Sequence, residues 1–151
     1  MAKTHSLLSA AVGLLLATGI AGIAPVAFAV PPPAVRTDLA QTKAAGPYAV
    51  SLVFAPNPVR AMRDQLMTVT VSQGNRPVTQ AVVSASLTMV GMDMGPNRVA
   101  LRAIGKGRYQ GSCVFPACPS GGLEWRTTIT VLVGRTKQTV TFPVQLAPQV
   151  R

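Results

Sequence analysis

The sequence predicts an all-β, antiparallel sandwich. Three observations carry this expectation. Apolar and polar residues alternate in seven separate runs beyond residue 46, which is the period of a half-buried strand. Clusters of Gly, Pro, Asn and Ser separate the runs. No segment after residue 29 repeats its apolar residues at the 3.6 spacing of an amphipathic helix.

In chain order, Tyr48, Val50, Leu52 and Phe54 share one face, with Ala49 and Ser51 on the other. Met67, Val69 and Val71 alternate with Thr68, Thr70 and Ser72. Ala81, Val83, Ala85, Leu87 and Met89 alternate with Ser84, Ser86 and Thr88. Val99, Leu101 and Ala103 flank Arg102. Tyr109, Cys113 and Phe115 alternate with Gln110 and Ser112. Trp125, Ile129, Val131 and Val133 alternate with Arg126, Thr128 and Thr130. Val140, Phe142 and Val144 close the series against Thr139, Thr141 and Gln145. Pro56-Asn57-Pro58, Gly74-Asn75-Arg76-Pro77, Gly95-Pro96-Asn97, Gly105-Lys106-Gly107, Pro119-Ser120-Gly121-Gly122 and Gly134-Arg135 supply turn chemistry between them. About seven strands at this spacing indicate an immunoglobulin-like sandwich with a Val, Ile, Leu, Phe and Trp core.

The first 29 residues have a different character. Lys3 precedes an uncharged run from Leu7 to Ala29, and Ala27-Phe28-Ala29 gives the small-x-small pattern of a signal-peptidase site. Val30-Pro31-Pro32-Pro33 then stops any helix. The expectation is a signal helix over 1–29, cleaved after Ala29, with an uncleaved membrane anchor as the alternative. Either arrangement puts the rest outside the cytoplasm, periplasmic or secreted, in an oxidising space. Residues 30–46, rich in Pro and Ala, read as a flexible leader. The sandwich is expected over 47–146, with a tail over 147–151.

The 151 residues carry 14 Lys and Arg against 4 Asp and Glu, a formal charge of +10, and 48% are hydrophobic. That balance excludes a disordered polyelectrolyte. The only histidine, His5, lies in the export segment. Without it the remaining chain has no imidazole to act as general base or metal ligand. Asp38, Asp64, Asp93 and Glu124 are far apart in sequence, and no phosphate loop or zinc motif is present. The expectation is a non-catalytic protein.

Two segments carry distinctive chemistry. Three of the five methionines beyond residue 29 fall in Met89-Val90-Gly91-Met92-Asp93-Met94-Gly95. Thioether sulfur suits soft ions, above all Cu(I). Met89 continues the inward parity of Leu87 and reads as core. Met92 and Met94 have outward or loop parity; they are either strand-end filler or a pair of soft-metal ligands. Asp93 between them either tunes a cation or favours the turn. The second segment is Cys113-Val114-Phe115-Pro116-Ala117-Cys118. Cys113 has inward parity, while Cys118 lies past Pro116 at the expected rim. Cys118 is open to three readings: a short-loop disulfide with Cys113, a thiolate metal ligand, or an unpaired thiol.

The order of Asn75-Arg76-Pro77-Val78, Ala81-Val82-Val83, Met89 to Met94, Gly95-Pro96-Asn97-Arg98, Gly107-Arg108-Tyr109, Val114-Phe115-Pro116 and Gly122 to Trp125 resembles the YtkA-like/FixH-like family of exported or membrane-anchored sandwich domains. The resemblance covers roughly 47–146. It implies an immunoglobulin-like sandwich and copper handling in the cell envelope. By it, Met92 and Met94 match a Met-rich turn, and Cys118 stands after Phe-Pro where many relatives carry methionine. No histidine accompanies the methionines, so the resemblance points to Cu(I) rather than Cu(II).

The combined expectation is an exported binding domain holding copper, as Cu(I), with Met92, Met94 and Cys118 as ligands. Its partner would be an envelope membrane protein of metal efflux or oxidase assembly. The alternative is a structural accessory domain that docks to a membrane complex without metal. Scattered basic residues, Arg60, Arg63, Arg76, Arg98, Arg102, Arg108, Arg126, Arg135 and Lys137, read as a solvated surface or one drawn to anionic lipid or an acidic partner. Nucleic acid is not an expected ligand.

Overall fold

The structure, a computed structural model, describes residues 40–149. The expected export segment, 1–29, and the first part of the leader, 30–39, lie outside the described residues, as do Val150 and Arg151. Nine strands follow in order: β1 (Gln41–Ala45), β2 (Tyr48–Ala55), β3 (Asp64–Gln73), β4 (Arg76–Pro77), β5 (Val82–Met89), β6 (Arg98–Gly105), β7 (Arg108–Val114), β8 (Glu124–Val133) and β9 (Thr136–Gln145). Among the described residues there is no helix.

Each alternating run became a strand because its inward set is apolar. Val50, Leu52, Phe54, Met67, Val69, Val71, Val83, Ala85, Leu87, Val99, Leu101, Tyr109, Phe115, Trp125, Ile129, Val131, Phe142 and Val144 are all buried. All strand pairs are antiparallel, in the order β1-β2-β3-β7-β6-β5-β8-β9, and β4 pairs with the end of β3. The orders β2-β3-β7-β6 and β5-β8-β9 are those of the two sheets in a seven-stranded immunoglobulin-type sandwich.

β6 belongs to both layers. Its first half, Arg98 to Leu101, pairs with β5, and its second half, Arg102 to Gly105, pairs with β7 through a register shift between Ala103 and Gly105. That shift corrects one expectation: Ala103, expected inward, is exposed where the strand changes sheets. On the opposite side the layers meet at β1 and β9 through side chains. Lys43 Nζ donates to the Thr141 carbonyl at 2.7 Å, and Gln41 Nε2 to that of Pro143 at 3.1 Å. These bonds cap carbonyls that an open strand edge would present to other chains.

Two strands were not foreseen. β1 occupies 41–45, the end of the expected leader, so the ordered domain starts at Gln41 rather than residue 47. Its sequence, QTKAA, buries only Ala45 and shows no alternation. It forms because β2 offers a free edge, an influence that local patterning does not register. β4 is two exposed residues folded back on Ser72 and Gln73.

Two polar side chains also enter the core. Gln65 and Thr127 are fully buried. The Gln65 amide atoms, Thr127 Oγ1 and Trp125 Nε1 have no hydrogen-bond partner among the described protein groups. Tyr109, by contrast, is fully used: its hydroxyl donates to the Val78 carbonyl at 2.8 Å and accepts from the Ala81 N–H at 3.0 Å. This ties the crossing between β4 and β5 to the core.

β2, β5, β7 and β9 end, and β3, β6 and β8 begin, at one end of the sandwich. This end is called the rim below. The tight turns at 46–47, 74–75, 106–107 and 134–135 lie at the other end. There Gly107, at φ 69°, accepts the Val71 N–H at 2.8 Å. A Cβ on Gly107 would sit 2.6 Å from the Val71 carbonyl oxygen and 3.0 Å from Pro77 Cβ. Gly107→Ala should therefore lower stability by about 2–4 kcal/mol, combining backbone strain with a backbone clash. Gly74→Ala, at a similar φ of 57° but with nothing within 4 Å, should cost only about 1–2 kcal/mol. Denaturant titration reads both; equal losses would contradict this packing.

Candidate functional site

The two chemistry-bearing segments meet at the rim. The loop after β5 is fastened to its neighbours by three bonds. Val90 N–H donates to the Glu124 carbonyl at 3.0 Å, Leu87 N–H to that of Asn97 at 2.8 Å, and Asn97 Nδ2 to that of Val114 at 3.1 Å. The last bond joins the Met-rich loop directly to the end of β7, from which the Cys118 loop departs.

Phe115 sets the course of that second loop. Its ring is fully buried, edge-on to Phe54 at 5.5 Å and to Trp125 at 5.4 Å between centroids. The Phe115 carbonyl accepts the Met62 N–H at 2.8 Å. Three residues later Cys118 is half-exposed. A turn follows, closed by the Gly121 N–H on the Cys118 carbonyl at 3.0 Å.

Met89, expected as core, packs against it, and it also reaches the rim. Met89 is half-buried against the core and lies opposite Trp125 in the β5–β8 register. A Cβ on Gly122 would collide with Met89 Cε and would sit 3.9 Å from its sulfur and 3.5 Å from Cys118 Sγ. The absent side chain of Gly122 therefore leaves space into which a thioether and a thiol both reach. Met92 folds back across the Val90-Gly91 turn to form a bridge with Met89 and is 38% exposed. Met94 is half-buried and packs against the core, so the two expected ligands differ in environment. Asp93 Oδ1 accepts the Gly95 N–H at 2.8 Å, which gives that carboxylate a turn-forming role.

Met62, which has no strand parity, is the second sulfur that the sequence reading passed over. It is 63% exposed in the loop between β2 and β3, beside Phe115. Its position after Pro56-Asn57-Pro58, outside any alternating run, was the available signal. For Met89 the sequence offered no such signal, because its neighbour at Gly122 depends on strand register.

The two cysteines are both free, and they differ in kind. Cys113 is buried beside Gln65 in the β3–β7 register. Burial pushes its thiol up to about 12. Cys118 is held below the ordinary thiol value. The Ser120 hydroxyl, 2.9 Å from its sulfur, is the main cause, and the backbone N–H groups of Gly122, Ser120 and Gly121 add to it. Cys118 also lines a cleft of about 310 Å³ with Ala61, Leu123, Pro148 and Gln149. No three His, Cys, Asp or Glu side chains gather among the described residues. The distinctive donors at the rim are sulfur atoms, a set suited to Cu(I) or Ag(I).

Two outcomes follow for the thiols. Iodoacetamide at neutral pH should label Cys118 in the folded chain, with a rate midpoint below the usual pH of about 8.5. Cys113 should react only on unfolding. Peptide mass spectrometry distinguishes them, and equal labelling would refute the assignment. The raised Cys113 value also ties stability to alkaline pH. The native state disfavours its thiolate and the unfolded state does not. Its contribution is therefore complete below pH 9 and is lost as pH rises toward about 12. The slope is up to about 1.4 kcal/mol per pH unit. Denaturation at several alkaline pH values should show a shallower decline for Cys113→Ala than for the native sequence.

The model of the YtkA-like family matches residues 42–118, from β1 to Cys118. The resemblance expected over 47–146 is thus met from the first strand through the rim thiol, and β8 and β9 lie beyond it. No curated protein and no solved structure matches the chain. With just over half of its length matched, the chain belongs to the YtkA-like family.

Proposed function

We propose that this is an exported, non-catalytic domain that holds a soft metal ion, copper as Cu(I), at the rim and passes it between partners in the cell envelope. One observation carries the reading. Met62, Met89, Met92 and Met94, four of the five methionines of the described domain, lie with Cys118 at one end of the sandwich; Met67 alone is fully buried in the core, while Met89 and Met94 pack against its edge. Core filling does not account for Met62 and Met92, which are exposed.

The roles follow from position. Cys118, biased toward thiolate, would supply the anionic ligand. Met89, which shares the Gly122 space with it, would supply the adjoining thioether. Met92, on the exposed side of the same turn, would add a third sulfur, and Met94 would support the loop from beneath or complete the set. An exposed and shallow arrangement favours exchange with a partner over storage. The composition of residues 1–29 supports export, and the chain's lack of any other histidine supports Cu(I) over Cu(II).

The test is anaerobic Cu(I) titration of the chain against a competing chelator. The native sequence should compete. Cys118→Ser and Met89→Leu should each weaken binding by about tenfold or more, equivalent to about 1.4 kcal/mol. Met92→Leu and Met94→Leu should have smaller effects, since Met92 is exposed on the turn and Met94 packs against the core. Binding no stronger than the chelator background, or indifferent to all four changes, would put the metal-free accessory domain in its place.

A further inference from the structure

The rim carries a second recess beside the thiol. Arg60, Met62, Arg63 and Gln149 line a cleft of about 390 Å³ whose wall also includes Ala61. Ala61 and Gln149 line the Cys118 cleft too. The two recesses are therefore adjacent, one lined by guanidinium groups and the other by a thiol.

The cationic recess is held in shape. Arg60 pairs with Ala147 in a parallel bridge, and the Ala147 N–H donates to the Val59 carbonyl at 2.8 Å. Arg60 Nη1 donates to the Pro148 carbonyl. This fixes the guanidinium plane and leaves its other donors available. Met62, at φ 56°, is anchored by its N–H on the Phe115 carbonyl, and Arg63 follows it in the lining. Neither arginine has an acidic partner among the described residues. Asp64, the next residue, is exposed and makes no ion pair.

We infer that the Arg60–Arg63 recess is the docking point for a carboxylate-bearing protein surface, that of the partner which exchanges the soft ion with Cys118. The inference rests on the metal reading above and adds the partner's chemistry and its point of contact. Guanidinium groups match carboxylates in fork geometry. A recess admits a projecting Asp or Glu side chain, whereas a flat anionic membrane would read the basic charge spread over the whole domain. Docking here brings the partner's ion-carrying atoms next to the thiol and accelerates encounter in a salt-dependent way.

The experiment has two arms, both on the full chain. In the first, Cu(I) is delivered as its complex with the dicarboxylate chelator bicinchoninate, and transfer is followed by stopped-flow loss of the complex's colour. The double variant Arg60→Gln/Arg63→Gln should slow transfer by about tenfold at low salt and flatten its salt dependence, with equilibrium affinity unchanged. The control Arg76→Gln/Arg135→Gln, which removes the same charge at the other end, should stay within about twofold. In the second arm, a polyglutamate peptide should bind the metal-free native chain and the control but not Arg60→Gln/Arg63→Gln.

Equal slowing in both double variants, or in neither, overturns the inference. So does binding to phosphatidylglycerol vesicles that depends on Arg60 and Arg63 when polyglutamate does not bind. Absence of any Cu(I) uptake removes the metal reading and the exchange role with it. Uptake that is intact while polyglutamate fails to bind overturns the docking inference alone.

Discussion

The rim depends on how the two sheets are pinned together at one end. Phe115 stands edge-on between Phe54 and Trp125, linking the ends of β2 and β7 to the start of β8. All three rings are buried, and aromatic contacts of this kind contribute about 0.5–1.5 kcal/mol beyond their burial. The larger consequence is geometric. Phe115 directs the chain that reaches Cys118, its carbonyl holds Met62, and Trp125 lies opposite Met89 in register.

Charge and polarity are arranged around that stack in layers. Beneath the rim, Cys113 sits in a setting that keeps its thiol protonated, beside the buried amide of Gln65. Above it, Cys118 sits in a turn whose hydroxyl and N–H groups favour the thiolate. Two cysteines five positions apart thus acquire opposite chemistry, one from burial and the other from hydrogen bonding in its turn. The outer cysteine stands beside methionine on one side and a recess lined by arginine on another, and on the proposed reading these serve the ion and its partner respectively.

Much of this was legible in the sequence. Period-two alternation located the seven long strands because an inward apolar face is both necessary for burial and visible locally. It missed β1, whose pairing is dictated by the free edge of β2 and of whose side chains only that of Ala45 is buried. It misplaced Ala103, because β6 changes sheets through a register shift that no local pattern encodes. For the site, parity placed Cys118 at the rim and Cys113 inside. It also assigned Met89 to the core, since strand-end parity cannot tell half-burial beside a glycine from full burial. That the Met89 methyl fills the space beside Gly122, with Cys118 close by, follows from the register between β5, β8 and the preceding loop, and only the folded chain holds it.

X-ray absorption spectroscopy at the copper edge, on the full chain loaded with one equivalent of Cu(I), tests the central claim most directly. The account predicts a first shell of sulfur alone, with one sulfur lost in Cys118→Ser and another in Met89→Leu. A shell of nitrogen or oxygen, or a sulfur shell that both variants leave unchanged, would contradict it.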